Sequence, residues 1–540
     1  MPSEPVRLPR SFVLAIAVLC VAPFFLNLCG LTFEFSGYPS DIASLPPAEQ
    51  IYFHSPYFQL RGALVHTLME WTSVCLAIVI AVCSFSYYTI KKDAATPIIG
   101  TALLFSGLLD AFHILAADGL ILRVTDNENF VPFVWGISRI FHASILMIGT
   151  GLFVLRSHDG RRPKPRGVRF IITVSVFYGL VAYLVIQICA VAPALPQTIF
   201  PGAPIVRPLD AVALVIYLFA GGFLFPRFHR LHPSLFSYGL FVSLLPYLFS
   251  QAYAALASDA QYDNALNISQ YLKIIAQSVP LAGLLFDYNR AYQAEAVLAA
   301  TEEKLRIARE IQRGLLPQCA PPIPGFDVAG FSSSAGAVGG DYYDFVHMPD
   351  GAWGLVIADV SGHDLGASIL MSQTRAYLRA EASNRCNVSE IVTRLNHFLS
   401  YDVRDRRFVS FFFARLDPAQ RSLVYAAAGQ NGHLLKPDGS VTTLDVTGPL
   451  LGVIDEPQPA SPEVFLAPGD LMILFTDGIA EAASPHGEQF GNERIFNAVR
   501  DHRDQSTADI LDAVEKAVLA FRCQVPLEDD VTMLVLRCIA

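Results

Sequence analysis

Long apolar blocks fill the first half of the chain, and short apolar runs that end at acidic residues fill much of the second. Residues 11–287 contain eight apolar stretches of about 18–28 residues, the length that an α-helix needs to cross a hydrocarbon core. They lie near 11–30, 63–90, 96–116, 132–155, 169–191, 209–226, 234–257 and 268–287. The pattern predicts an N-terminal all-α polytopic membrane bundle over residues 1–287. Because no small-residue cleavage pattern follows the first stretch, we expect it to remain as a span rather than to be removed as a signal peptide.

Loop charge predicts the orientation of these spans. With the N-terminus inside, the outer loops carry only three basic residues, Arg61, Arg123 and Arg207. The inner segments carry twelve: Arg7, Arg10, Lys91, Lys92, Arg156, Arg161, Arg162, Lys164, Arg166, Arg169, Arg227 and Arg230. This excess of inner positive charge favours a cytoplasmic N-terminus. Eight crossings return the chain to the cytoplasm, so we expect a multi-pass protein of a bacterial inner membrane, in contact with lipid, whose C-terminal part is cytoplasmic.

Ionisable residues within the spans form three close pairs. The second, third and fourth spans each carry two such residues three or four positions apart, which places both on one helix face. All six fall about 5–15 Å below the outer surface. They could form a sensory pocket for a metal ion, a haem-like cofactor or a small polar ligand, or a buried cluster that pairs Glu70 or Asp110 with Arg139 and locks the bundle. The six residues are His66, Glu70, Asp110, His113, Arg139 and His142.

A polar helix is predicted to join the two halves. Residues 288–316 lack Pro, contain Gly only at position 314 and are rich in Ala, Glu and Arg, so they should continue the last span as a cytoplasmic helix. Seven positions match a short coiled-coil seam: Ala294, Leu298, Thr301, Leu305, Ala308, Gln312 and Leu315. The seam includes polar residues, so a plain linker helix and a homodimer through 288–316 both stay open. The segment PQCAPPIPG (317–325) then ends the helix and begins a third region, 317–540.

Acidic residues are concentrated in four short stretches of this third region. They read GGDYYD (339–344), IADVSGHD (357–364), LFTDGIAEA (474–482) and EDDVTM (528–533), and in the last three an apolar run leads into or out of a carboxylate. Ionised carboxylates gathered in one place need a cation to offset their repulsion, and sets of oxygen ligands suit Mg²⁺ or Mn²⁺. Two such ions held together can hydrolyse a phosphate ester. The alternative is that these aspartates simply occupy turns.

Composition narrows the function classes. Hydrophobic residues make up 53% of the chain and charged residues 16%, and the formal net charge of −10 gives no support to nucleic-acid binding. The nine cysteines include no CxxC pair, which favours reduced thiols over a disulfide framework or a zinc site. No Ser–His–Asp or Cys–His arrangement with a recognisable nucleophile motif is visible.

Residues 303–540 resemble the SpoIIE-type branch of the metal-dependent protein phosphatase 2C family. Besides the acidic stretches, the resemblance rests on AREIQRGLLP (308–317), SGHDLGASILM (361–371), AAAGQNGHLL (426–435), TGPLLGV (447–453) and LAPGD (466–470). It implies an α+β fold in which two antiparallel sheets form a sandwich flanked by helices. It also implies a protein serine/threonine phosphatase that uses two Mn²⁺ or Mg²⁺ ions and an activated water.

The same resemblance assigns site residues position by position. Asp344 is a weaker candidate that could be structural, Glu481 is assigned beside the ligands or at a helix start, and His363 is either structural or a proton donor. Three positions depart from the family pattern: Ala337 replaces a polar residue, Asp364 a glycine and Gln430 a histidine. These departures leave the fit of the substrate less certain. The implied ion ligands are Asp341, Asp359, the carbonyl of Val360, Asp477 and Asp529, with Asp530 as a ligand or an orienting group.

Residues from about 50 to 290 resemble the bacterial membrane-associated sensor domains found upstream of cyclases, kinases and phosphatases. The resemblance rests on ALVHTLMEWTSV, LLDAFHILAADGL and FVWGISRIFHA. Together the two resemblances imply a membrane receptor phosphatase, and the resemblance to the SpoIIE-type phosphatases implies a phosphorylated regulator of the anti-sigma-antagonist type as its substrate. Two other functions stay open: a degenerate domain that binds phosphoproteins without turnover, and a transporter with a regulatory tail.

Overall fold

The computed structural model of the chain describes two compact units, Met1–Leu298 and Ala299–Ala540. The described residues are 7–33, 46, 56–117, 120, 127–155, 167–192, 194–259, 263–402, 407–454, 458–523 and 525–539. The loop residues Arg123, Arg156, Arg161, Arg162, Lys164 and Arg166, which entered the orientation argument, lie outside them.

The described part of the first unit is built from helices. In chain order they are α1 (Arg10–Leu28), α2 (Pro56–Lys91), α3 (Ala95–Ala117), α4 (Asn127–Val154), α5 (Val168–Val191), α6 (Pro208–Phe219), α7 (Phe225–Leu231), α8 (Leu235–Val242), α9 (Leu244–Ala257) and α10 (Asn264–Leu315). A π-helical turn, Ala220–Leu224, joins α6 to α7 without a break. The last helix, α10, is 52 residues long and continues into the second unit.

Seven helices among the described residues are long and apolar enough to cross a membrane. They coincide with the first seven predicted stretches: Arg10–Leu28, Leu64–Lys91, Ala95–Ala117, Asn129–Val154, Val168–Val191, Pro208–Leu231 and Leu235–Ala257. The eighth predicted stretch, 268–287, is helical but forms part of α10 and is not among the seven. Its buried polar side chains Gln270, Lys273 and Gln277 lower its mean hydropathy.

The second unit contains two five-stranded antiparallel sheets. Its strands are β1 (Phe326–Ser333), β2 (Tyr342–His347), β3 (Trp353–Val360), β4 (Val409–Asp417), β5 (Ser422–Ala428), β6 (Gly432–Leu435), β7 (Val441–Leu444), β8 (Glu463–Phe465), β9 (Leu471–Phe475) and β10 (Val531–Cys538). One sheet has the order β1-β10-β9-β6-β7 and the other β2-β3-β4-β5-β8. Five helices complete the unit: α11 (Leu365–Ala382), α12 (Val388–Asp402), α13 (Asp477–Glu481), α14 (Gly491–Asp501) and α15 (Thr507–Arg522).

The two sheets pack face to face and helices cover their outer faces. Successive side chains of a strand point to opposite sides, and β3 accordingly gives Leu355 and Ile357 to the core between the sheets and Val356 and Ala358 to the core under α11 and α12. Helices α14 and α15 cover the outer face of the other sheet. Both faces of the central strands are buried, which explains why their sequences are continuous apolar runs. The predicted two-sheet sandwich flanked by helices is confirmed.

Candidate active site

The four predicted aspartates lie at the ends of four strands, β2 and β3 in one sheet and β9 and β10 in the other. Asp341 immediately precedes β2, and Asp359 is the penultimate residue of β3. Asp477 opens α13 two residues after β9, and Asp529 lies two residues before β10. Because β2 and β3 belong to one sheet and β9 and β10 to the other, each sheet contributes two carboxylates.

These carboxylates are close enough to perturb one another. Burial, together with the charges of Asp477 and Asp529, raises the pKa of Asp359 to about 7. Burial and the charge of Asp359 raise the pKa of Asp341 well above its usual range. Burial and the charge of Asp529 raise the pKa of Asp477. All three acids therefore resist ionisation in the absence of a cation, which is the behaviour expected of carboxylates that share one centre.

Asp530 is used differently from its neighbour Asp529. Its side chain is 2% exposed and accepts hydrogen bonds from the backbone N–H groups of Ala335 (2.8 Å) and Gly340 (2.6 Å), with a longer contact to that of Asp341 (3.5 Å). Its oxygens thus hold the loop that leads into β2. These contacts favour Asp529 as the ion ligand of the adjacent pair.

The carbonyl of Val360 faces this same loop. A Cβ added to Gly340 would lie 2.6 Å from the oxygen of Val360, and one added to Gly339 would lie 2.4 Å from Oδ2 of Asp530. Only glycine lets the loop approach both groups so closely. The two glycines of GGDYYD therefore bring Asp341 beside the carbonyl that the sequence analysis named.

Two residues that the sequence analysis did not assign to the site also organise it. The Thr476 hydroxyl, 1% exposed, donates to Oδ2 of Asp341 (2.8 Å) and accepts from the N–H of Thr532 (3.1 Å). The Gln430 amide donates to the carbonyl of Phe475 (2.8 Å). The threonine stands directly before Asp477 in LFTDG, a position that a motif search for acids alone passes over.

The donor set fits divalent ions of the Mg²⁺ and Mn²⁺ kind. It consists of carboxylate oxygens and one backbone carbonyl, the ligands that such hard cations prefer. In the described part of the chain, no three His, Cys, Asp or Glu side chains already have the spacing of an ion site. The fit therefore rests on the ligand chemistry and on the mutual repulsion of the buried acids.

Comparisons with known proteins match a segment of each unit to a protein family. Residues 349–539 match the family model of Stage II sporulation protein E (SpoIIE), and residues 61–284 match that of the membrane-associated sensor domain MASE3. The chain combines a SpoIIE-type phosphatase domain with a MASE3 sensor domain. Both resemblances noted in the sequence are thereby confirmed.

Individual relatives are distant. The phosphoserine phosphatase RsbU of Bacillus subtilis (strain 168) is 24% identical over 263 residues, which cover 48% of this chain and 78% of RsbU. Two further curated relatives are matched over only 41% and 52% of their own length. Among solved structures, the SiaA-PP2C domain of Pseudomonas aeruginosa is 24% identical with a TM-score of 0.41 and covers 45% of this chain and 98% of that one. The catalytic domain of the phosphatase PstP, solved with two manganese ions, is 16% identical with a TM-score of 0.32 and covers 40% of this chain and 99% of that one.

The weaker candidates in the phosphatase domain, Asp344, Glu481 and His363, lie on a strand, a helix and a loop respectively. Asp344 is fully buried and accepts two hydrogen bonds from Arg379 (2.6 and 2.7 Å) and one from the Tyr342 hydroxyl (2.7 Å), so it links β2 to α11 as a structural group. Glu481 is the last residue of α13 rather than a helix start, and it lines a surface cleft together with Asp477. His363 is exposed in the loop before α11.

The change from glycine to Asp364 in that loop has a local explanation. Its carboxylate accepts from the N–H of Ala367 (3.0 Å) and thereby caps α11, and it forms two hydrogen bonds to Arg407 (2.8 and 2.9 Å). Capping carboxylates stabilise helix N-termini.

The six ionisable residues predicted for the sensor domain are all buried, and three of them pack against Trp135. The ring centroids of His66 and His113 lie 5.5 and 5.4 Å from that of Trp135, and the Arg139 guanidinium stacks over the indole at 3.9 Å. Glu70 lies between the two histidines, with N···O distances of 3.6 and 3.8 Å. These contacts bring residues of α2, α3 and α4 together, and their depth in the membrane stays a prediction.

The partners within this cluster differ from those expected. Asp110 pairs with Lys273 of α10 (2.5 Å), and Arg139 donates to Gln270 (2.7 Å) rather than pairing with a carboxylate. His142 contacts Ser106 and Tyr247 at 2.7 and 3.0 Å. The expected pairing of Glu70 or Asp110 with Arg139 is not among the ion pairs of the described residues. Lys273 and Gln270 of α10 partner Asp110 and Arg139, and Glu70 faces His66 and His113.

One cavity among the described residues lies beside this cluster. The cavity lined by His66, His113, Trp135 and Arg207 measures about 10 Å³, room for about one water molecule. Nothing in this packing supports the haem-like group, which needs far more space. The six side chains contact one another and neighbouring polar groups. A pocket for a metal ion or a small polar ligand and a cluster that locks the bundle both stay predictions.

Proposed function

We propose that this protein is a membrane-anchored protein serine/threonine phosphatase whose sensor domain controls hydrolysis of phosphoserine or phosphothreonine on a regulator protein. The observation that carries the proposal is the placement of the four aspartates at the ends of β2, β3, β9 and β10, two from each sheet. Burial and the charges of Asp477 and Asp529 raise the pKa of Asp359 to about 7, which supports a shared centre that would hold a cation.

The proposed roles follow from the contacts. Asp341, Asp359, Asp477 and Asp529 would hold two Mn²⁺ or Mg²⁺ ions together with the carbonyl of Val360. Thr476 fixes the carboxylate of Asp341, and Asp530 fixes the loop before it. When bound, such a pair of ions supplies Lewis-acid activation of water and of the phosphoryl oxygens. The protein then needs no side-chain nucleophile.

The substrate class is proposed from the relatives. RsbU is named a phosphoserine phosphatase, and its matched segment covers 78% of its length. A phosphorylated regulator of the anti-sigma-antagonist type is therefore the substrate that we propose for this chain. Glu481, Gln489 and Glu493 line a cleft next to Asp477, which gives a peptide segment room beside the acids.

The proposed location is a bacterial inner membrane, with the N-terminus and the phosphatase domain in the cytoplasm. The seven candidate spans and the excess of basic residues in the predicted inner loops support it. If α10 between residues 268 and 287 forms the last crossing, the number of spans is even and both ends lie on one side.

The test uses the full-length chain purified in detergent. We expect release of phosphate from phosphoserine peptides only when Mn²⁺ or Mg²⁺ is added. Asp359→Asn should lose this activity by several orders of magnitude because it removes a ligand from the shared centre. Asp512→Asn is the matched control, since Asp512 is exposed and pairs only with Lys516 on α15.

Two results would contradict the proposal. An Asp359→Asn protein with wild-type turnover would remove the assigned site. A wild-type protein that binds phosphopeptides tightly but releases no phosphate with either ion would favour the non-catalytic binding module. Ion or solute flux in liposomes at the rate of a transporter would favour the third function.

A further inference from the structure

The C-terminal end of α10 is bound to the loop that precedes Asp341. The amide of Gln312, a residue only 8% exposed, donates to the carbonyl of Gly339 (2.6 Å) and accepts from the N–H of the same residue (2.9 Å). Three residues earlier on the same face, Arg309 donates to the carbonyl of Ala337 (2.6 Å) and also to that of Gly336. The helix thus holds the backbone of 336–339 by four hydrogen bonds.

Hydrogen bonds to Gln312 and Asp530 hold the backbone of this loop just before Asp341. Gly339 is bound by Gln312, and the next two N–H groups, those of Gly340 and Asp341, point to Asp530. Gly340 also lies against the carbonyl of Val360 with no room for a Cβ. A displacement of Gly339 must therefore move Asp341 or separate it from the opposite carbonyl ligand.

We propose that Gln312 and Arg309 are positioning residues of the metal site. They would act through the loop 336–340 and set the distance between Asp341 and the remaining ligands, so that the position of the α10 end determines the affinity for the ions. This inference rests on the proposed phosphatase function and adds the element through which the site can be regulated. It places the control point at the loop before Asp341.

A purely structural role predicts a different outcome. If Gln312 merely satisfied the backbone of a loop, its loss would lower the stability of the domain and leave the ion affinity of the folded protein unchanged. Groups that orient metal ligands typically affect metal affinity by about 10- to 100-fold. The two roles therefore separate when ion binding and thermal stability are measured on the same protein.

The experiment uses full-length protein in detergent with Mn²⁺ as the probe, and follows unbound Mn²⁺ by its electron paramagnetic resonance signal, which requires no turnover. We expect Gln312→Met to weaken Mn²⁺ binding about 10- to 100-fold, while the turnover number at saturating Mn²⁺ stays within a few-fold of wild type. Gln312→Glu keeps the acceptor for the N–H of Gly339 but loses the donor. Its Mn²⁺ affinity should lie between those of the wild type and Gln312→Met. Arg309→Met, at a half-buried position, should weaken binding in the same direction and serves as a second variant if Gln312→Met does not fold.

Two controls lie close by on the chain. Gln318→Met changes a glutamine that bonds only to carbonyls of its own segment, those of Arg313 and Leu316. Arg306→Met changes an exposed arginine of α10 that pairs with Glu303 and Glu310. Both should bind Mn²⁺ as wild type does.

The outcomes distinguish this inference from the proposed function. Wild-type Mn²⁺ affinity in folded Gln312→Met and Arg309→Met proteins would overturn the positioning role and leave the phosphatase assignment intact. Weaker binding by both variants without weaker binding by the controls would support it. A wild-type protein that neither binds Mn²⁺ nor releases phosphate would overturn the proposed function, and this inference with it.

Discussion

Replacement of Asp359 by Asn should stabilise the metal-free phosphatase domain while it abolishes activity. The native carboxyl group keeps its proton to about pH 7, whereas the unfolded group titrates near 3.8. As pH rises between these values, the unfolded state releases its proton first, so the free energy of unfolding of the wild type falls and remains low above pH 7. Asparagine carries no such charge and removes the repulsion from Asp477 and Asp529.

The magnitude follows from the size of the pKa difference. A difference of about three units corresponds to at most about 4 kcal/mol. Relaxation of neighbouring carboxylates in the wild type reduces the effect, and we expect about 2 kcal/mol at pH 8. For a unit of the size of Ala299–Ala540, this amounts to an increase in Tm of roughly 4–8 °C.

The assay can be confined to the phosphatase domain. Of the three tryptophans of the chain, only Trp353 lies in that domain, so thermal unfolding can be followed by its fluorescence in a chain that carries Trp71→Phe and Trp135→Phe. With chelator at pH 8 the Asp359→Asn protein should melt higher than its parent, and at pH 4 the difference should nearly vanish. Added Mn²⁺ should raise the Tm of the parent alone, because ions that bind only the native state stabilise it by mass action.

One result would refute this reasoning. If Asp359→Asn melts below its parent at pH 8 with chelator present, or if the difference is the same at pH 4, the carboxylates do not repel one another at a shared centre. Asp512→Asn is the control here as well and should change the Tm by less than about 2 °C, as expected for a surface substitution.

Further predictions concern the same domain and the membrane topology. Arg379→Met leaves the buried carboxylate of Asp344 without its main partner and should lower the free energy of unfolding by about 3 kcal/mol, measured by denaturant titration of the same fluorescence signal. Gly340→Ala places a Cβ against the carbonyl that faces it and should weaken Mn²⁺ binding at least about tenfold, measured by the Mn²⁺ dependence of phosphate release. In single-cysteine chains in spheroplasts, an impermeant maleimide should label exposed Cys29 and not exposed Cys319; the reverse pattern would contradict the proposed orientation.

Much of the site could be predicted because its signals are local in sequence. Asp359, Asp477 and Asp529 each stand next to an apolar run, and these runs become the interior strands β3, β9 and β10. The glycines before Asp341 were equally informative, since the structure needs them where the loop passes Val360 and Asp530. Hydropathy identified the spans for the same reason: the signal of each span lies within its own residues.

Roles that depend on the direction of a side chain could not be predicted from the sequence in the same way. Asp529 and Asp530 are adjacent and chemically identical, and only the path of the chain into β10 sends one toward the acids and the other toward the loop. Asp110 illustrates the same limit over a long distance. Its partner Lys273 is 163 residues away, so sequence spacing on one helix could not reveal the pair.

The seam predicted on α10 shows how one pattern can serve two purposes. Its repeat of four and three residues is compatible with a second copy of the chain, and homodimer formation stays a prediction. Yet Gln312, one of the seam positions, is buried and bound to Gly339 of the same chain, whereas Leu298 is 60% exposed. Heptad spacing identifies a face of a helix that needs a partner, but it does not say whether the partner lies in the same chain.

The continuity of α10 makes the loop before Asp341 sensitive to small movements. One helix carries Lys273, the buried partner of Asp110, and Gln312, the partner of Gly339, and no break in helical structure separates them. Pro280 lies between the two and removes one hydrogen bond of the helix, so it is the position where bending would concentrate. At the far end, the contacts of 2.6 and 2.9 Å are lost when the Gln312 amide moves by only about 1 Å, because N–H···O bonds weaken beyond roughly 3.2 Å. A rotation or shift of the helix far smaller than one turn is therefore enough to release the loop that carries Asp341.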